Sequence, residues 1–196
     1  MNTNLCNESQ DASGAGRRKA GAAQRLMLEG KFHVEHWRDG KLIGVHDIDN
    51  AITVAAKNLL LEVMFRNGTK ITSWFIGLVS NDTPTPPSDI PETDTYASHA
   101  DFAEFTSYDE AGRQQWSPGA AANKSVTNSG SPLTFTISTG VASKGIYGLM
   151  VVGGGSAAST KGDTAGGGLL WSGAKFTSTV TVNATDVLKV TYTVNS

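Results

Sequence analysis

The chain has 196 residues, the size of one domain or of one domain with an arm. Its 16 Lys and Arg against 18 Asp and Glu leave a net charge of −2, so no whole-molecule attraction to nucleic acid or to an anionic membrane is expected. A single cysteine, Cys6, excludes an internal disulfide and a zinc site built on paired cysteines, so stability must come from burying the 39% of residues that are hydrophobic.

Residues 1–30 are rich in Asn, Ser, Gly and Ala and contain no aromatic side chain. Such a segment has too little apolar surface to offset its ordering entropy and reads as an extended N-terminal arm ahead of a domain over 31–196. Its opening, MNTNLCNESQ, lacks the charged-then-apolar layout of a signal peptide, and no stretch of the chain approaches the ~20 apolar residues of a membrane span. Export by that route and membrane insertion are therefore not expected. Gly21 to Gly30 (GAAQRLMLEG) has the spacing of a short helix that would need docking to persist. Arg17, Arg18 and Lys19, with Arg25, form a basic cluster suited to contact with an acidic protein surface.

Lys31 to Ile48 reads as a hairpin turning at Asp39-Gly40, residues that accept the positive backbone angles of a two-residue turn. Pairing Arg38 with Lys41 puts Phe32, Val34, Ile43 and Val45 on one face, expected to be the core face. His33, Glu35, Trp37, Leu42 and His46 then share the other. Ile52, Ala55, Ala56, Leu59, Leu60, Val63 and Met64 recur at helical spacing, with Asn50 as the expected cap and Asn67-Gly68 as the stop. Ile71 to Val79 has the nearly continuous apolar character of a buried strand.

Pro84, Pro86, Pro87 and Pro91 make the next segment a loop. From Asn81 to Glu110 there are eight acids and no Lys or Arg, so the remainder of the chain is net positive. That asymmetry suits contact between copies of the chain, with Asp89, Glu92 and Asp94 as candidates on the acidic side and the arm cluster on the basic side. A solvated loop is the plainer reading of the same acids. Strand patterns follow at Leu133–Ile137, Gly145–Val152, Leu169–Phe176, Val180–Val182 and Leu188–Val194. Eight or nine strands around one helix, without strand-helix alternation, predict a mainly β fold, an antiparallel β-sandwich or jelly roll.

Motifs for chemistry are few. The loop GGGSAASTKGDTAGGG (153–168) lacks the Gly-Lys-Ser/Thr ending of a phosphate loop and opens no predicted helix, so it reads as a flexible hairpin tip. Ser98, His99 and Asp101 are nucleophile-triad residue types, but adjacent side chains rarely converge and no Gly-x-Ser-x-Gly elbow is present. His33 and His46, expected to face each other, offer too few ligands for a metal site, and the acids of 89–101 do not follow a calcium-loop pattern. Neither a catalytic site nor a cofactor is assigned. Trp74 and Trp171 lie in apolar runs and are expected in the core, whereas Trp37 and Trp116 are the candidates for a sugar-stacking surface.

The order of segments, from the early hairpin through Asn58–Phe65 (NLLLEVMF), Ser73–Val79 (SWFIGLV), Ser98–Trp116 (SHADFAEFTSYDEAGRQQW), Phe135–Ile137, Gly145–Val152 and Leu169–Phe176 to Asp186–Val194 (DVLKVTYTV), resembles a family of tailed-bacteriophage virion proteins over residues 31–194. The resemblance implies a structural component of the virion, a decoration or cement protein of the head. The partners implied are the major capsid protein and neighbouring copies of itself in a homo-oligomeric arrangement. It brings no functional residues and does not extend to the arm. The other readings are a tail or fibre component carrying a glycan-binding module and, third, an enzyme acting on cell-wall glycans through two convergent acids.

Overall fold

A computed structural model describes residues 28–80, 103–162 and 166–196. The arm cluster Arg17, Arg18, Lys19 and Arg25, the acids Asp89, Glu92 and Asp94, the expected arm helix up to residue 27, and Ser98, His99 and Asp101 lie outside the described residues.

The fold is mainly β and antiparallel, with one helix among the described residues. In chain order the elements are β1 (Glu29–Arg38), β2 (Lys41–Ile52), α1 (Val54–Phe65), β3 (Trp74–Ser80), β4 (Ala103–Phe105), β5 (Gln114–Trp116), β6 (Ser125–Thr127), β7 (Leu133–Thr136), β8 (Lys144–Gly153), β9 (Leu169–Val182) and β10 (Val187–Asn195). Strands neighbour one another in the order β4-β3-β8-β9-β2-β1-β10-β6, with β5 also on β3 and β7 also on β10. β2 is the corner. Residues up to Asn50 pair with β1, and only Ala51 and Ile52 pair with β9. At the far ends Tyr108 bridges Ile137, and the Asp109 amide donates to the Thr136 carbonyl at 2.8 Å, so the sheet curls until its edges meet. This curl is consistent with the expected sandwich. It encloses a core that includes Phe32, Ile76, Leu78, Phe135, Leu149 and Tyr192.

Glu29 and Gly30, expected in the arm, already pair with Asn195 and Val194 in the sheet. The hairpin turns as expected, with positive φ at Asp39 and Gly40 and Arg38 opposite Lys41. Its register does not persist. Trp37 pairs with Leu42 but His36 pairs with Gly44, so Ile43 is an extra residue, a bulge that exchanges the faces of all that follows on β2. Phe32 and Val34 do enter the core, but opposite Ile48 and His46, while Ile43 and Val45 are exposed. The core face expected for Ile43 and Val45 is therefore corrected.

The helix starts at Thr53 rather than Asn50, because Asn50 to Ile52 are still strand. The Thr53 side chain accepts the Ala56 amide at 3.1 Å, capping the helix, and donates to the Leu170 carbonyl of β9. Asn67, at φ 57°, and Gly68, whose amide donates to the Glu62 carbonyl at 2.9 Å, close the helix as expected. Leu169–Phe176 and Val180–Val182, expected as two strands, are one 14-residue strand, although its pairing with β8 is interrupted between Lys175 and Val180, opposite Tyr147.

Candidate interaction surface

Seen from its own sequence, α1 should bury one stripe and expose the other. The structure instead leaves apolar residues on both sides. Ala56 is buried and Leu60 packs against the core, while Val54, Leu61, Met64 and Phe65 on the remaining surface are 45%, 57%, 71% and 78% exposed. Met64, expected in the core stripe, is thus corrected to the surface. Four large apolar side chains left in solvent beside Lys57, Asn58 and Glu62 give this face the character of a contact surface. A separate apolar set, Leu42, Ile43 and Val45, each about half exposed, lies at the bulged end of the hairpin, the other end of β2 from α1.

Beneath the helix lies an apolar cavity of about 240 Å³ whose walls include Leu28, Leu60, Trp74, Trp116, Trp171 and Val194. The indole N–H groups of Trp116 and Trp171 are turned to structural partners. Trp171 Nε1 donates to Tyr192 Oη at 3.0 Å, and Trp116 Nε1 donates to the Tyr192 carbonyl at 3.2 Å and to Asn128 Oδ1 at 3.3 Å. Trp37 Nε1 donates to Glu35 at 2.8 Å, and the Lys189 ammonium sits 4.6 Å over its ring. Of the two sugar-stacking candidates, Trp37 thus carries a lysine over its ring, while Trp116 meets Tyr192 edge-on at a centroid distance of 5.2 Å and walls the apolar cavity. Trp171 is buried as expected, and Trp74 meets its ring edge-on at a centroid distance of 5.3 Å.

Two polar centres were not anticipated. Asp186 is fully buried at the start of β10, with Arg38 Nε and Nη2 donating to its two oxygens at 2.8 and 2.7 Å, His36 Nε2 at 2.8 Å and the Asn183 amide at 2.8 Å. Burial alone would raise its pKa. The hydrogen bonds from Arg38, the Asn183 backbone and His36 outweigh that and hold it at about 2. The second centre is Arg113, which donates through Nε and Nη2 to Glu104 at 2.9 and 2.8 Å with both side chains buried. Arg113 Nη1 also reaches the Ala158 carbonyl at 3.1 Å, and the Gly162 amide donates to Glu104. Lys161 Nζ adds a bond to the Glu110 carbonyl at 2.8 Å. The glycine-rich loop, expected as a flexible hairpin tip, is a docked segment tied to the β4–β5 region.

The bulge separates His33 from His46. His33 pairs with Asp47, Nδ1 to Oδ1 at 3.0 Å, a hydrogen bond that lowers the Asp47 pKa. His46 turns inward against Phe176, and its pKa is lowered by burial and then by the neighbouring His36. Among the described residues no three His, Cys, Asp or Glu side chains converge in a metal-holding group. Sequence reading treated Glu104 only as one acid in a run and gave Asp186, ahead of the strand expected from Leu188, no role. The turn residues Asn183 to Asp186 were the available local signal, and they mark a turn closed by the Asp186 side chain on the Asn183 amide, not the burial of its carboxylate.

Comparison with protein-family profiles and with curated proteins finds no match to the chain.

Proposed function

We propose that this chain is a structural component of a tailed-phage particle, a decoration protein that bridges neighbouring shell subunits and works without chemistry. The observation that supports this most is the exposed apolar face of α1, Val54, Leu61, Met64 and Phe65, on a body whose helix is already packed on its other side. Burying such a face against a shell subunit removes apolar surface from water, and any partner that binds only the assembled shell stabilises it by mass action. Repetition over many symmetric copies turns a modest contact into resistance to internal pressure. In this reading the arm residues Arg17, Arg18, Lys19 and Arg25 add charge-assisted contacts, and Asp89, Glu92 and Asp94 face basic groups of the major capsid protein or of neighbouring copies.

The test is co-sedimentation of the purified chain with heads lacking it, across a salt series, for the full chain and for a chain without residues 1–27. Saturable binding, weakened by the truncation most strongly at low salt, is expected. Absence of binding by the full chain at every salt concentration overturns the decoration reading. Equal binding by both forms removes the arm from it.

A further inference from the structure

The glycine-rich loop, unused in the decoration reading, builds a second concave surface. Gly153–Gly155 and Gly166–Gly168 cross backbone to backbone at its neck. A Cβ on Gly155 would collide with the Gly167 carbonyl, and one on Gly168 would stand 2.8 Å from the Gly154 carbonyl and 2.9 Å from that of Gly153. The six glycines thereby form a neck with no side chains, and beyond it Ala158 to Gly162 are tied by Arg113, Glu104 and Lys161. Across the neck runs the segment leading into β3. Between the two lies an open groove of about 630 Å³, within the range of small-molecule sites.

The lining has a consistent chemistry. Lys70, Thr69, Thr72 and Ser159 are exposed and offer an ammonium and three hydroxyls, while no Asp or Glu is among the described lining residues. Ile71 and Phe75 supply apolar wall. Polar and apolar surface therefore meet within one groove, and the formal charge among its described lining residues is positive. A ligand that meets these demands carries several oxygen acceptors, an anionic group and an apolar ring face. An acidic saccharide has all three; inorganic phosphate lacks the ring face, and a neutral sugar lacks the charge.

We propose that this groove binds an acidic saccharide, with Lys70 on the carboxylate and Phe75 and Ile71 beneath a sugar face. The site is independent of the α1 face and adds a glycan-recognition role to the structural one. It is tested on the full chain by amide NMR titration with trigalacturonic acid, with maltotriose and inorganic phosphate as comparison probes. Trigalacturonic acid should shift the amides of Lys70, Phe75 and Ser159 saturably, and Lys70→Ala should weaken it by about tenfold or more. Ser159→Asp, which puts a carboxylate on the exposed lining, should abolish the shifts, whereas Lys41→Ala at the hairpin turn should leave them. No shifts with trigalacturonic acid, or an unchanged affinity in Lys70→Ala, overturns the proposal. Equal shifts by maltotriose overturn the role of charge, and displacement by phosphate with the same shifts overturns the role of the sugar.

Discussion

Arg113 and Glu104 form a two-pronged ion pair, at 2.9 and 2.8 Å, with both side chains buried under the glycine-rich loop. Desolvation makes such a pair a poor source of net stability, but removing one partner leaves an uncompensated buried charge. Arg113→Met should therefore lower the unfolding free energy by about 3–5 kcal/mol, measured by urea denaturation. Arg113→Met combined with Glu104→Leu should recover much of that loss, because no charge then remains buried. A double variant as unstable as the single one would place the cost in the carbonyl contacts to Ala158 instead.

Asp186 makes acid stability testable. Its pKa is about 2 in the folded chain against an ordinary 3.8, so the folded state binds this proton less readily than the unfolded state. The associated stabilisation is complete above the ordinary value and is lost as the pH falls through about 2; its size is on the order of 2 kcal/mol. Asp186→Asn should lower stability at pH 7 and narrow its deficit against the parent chain between about pH 4 and pH 2. Parallel stability-pH curves for the two proteins would show that Asp186 does not titrate on unfolding.

The hairpin shows how far the sequence is legible. Asp39-Gly40 announces its turn because few other residues accept positive φ there, and the Arg38–Lys41 pairing follows from the turn itself. The bulge leaves no such mark. Ile43 and Val45 have the same branched, apolar character whether they face core or solvent, so one unpaired residue reverses the pattern without changing the composition. The spacing of α1 was readable from its apolar period, and so was most of its orientation, since Ala55, Ala56, Leu59, Leu60 and Val63 form the less exposed side and Met64 alone of the expected helical stripe is exposed. Of the candidate surfaces, the exposed helix face carried no mark of its own, because Val54, Leu61 and Phe65 lie outside the expected stripe yet are as apolar as its members. Asp186 meets His36 across 150 positions, a partnership that local patterns do not carry.

The two sides of α1 should respond differently to substitution. Leu60 is half-buried against the apolar cavity, so Leu60→Ala should cost less than the about 2–5 kcal/mol of a fully enclosed leucine. Leu61→Ser with Phe65→Ser touches only exposed side chains and should leave the denaturation midpoint nearly unchanged, each within about 0.5 kcal/mol. The same double variant should lose most of its co-sedimentation with heads. Retained binding at unchanged stability would move the contact surface away from the helix.

Two glycines separate backbone strain from close approach. Gly40 and Gly155 have nearly the same backbone, φ 72° and 69°, but a Cβ on Gly40 meets nothing within 4 Å whereas one on Gly155 strikes the Gly167 carbonyl. Gly40→Ala should therefore cost only the left-handed conformation of an L-residue, about 1 kcal/mol. Gly155→Ala carries that cost and must also part the two glycine triplets, so its loss should be the larger of the two in urea denaturation. Amide spectra should show the difference in place as well as in size. Shifts from Gly40→Ala should stay at the hairpin, and those from Gly155→Ala should spread through Gly166–Gly168 to Lys70 on the opposite groove wall. Equal losses for the two variants would mean that the neck yields without resistance, and the groove could then not be held rigid by the crossing of its glycines.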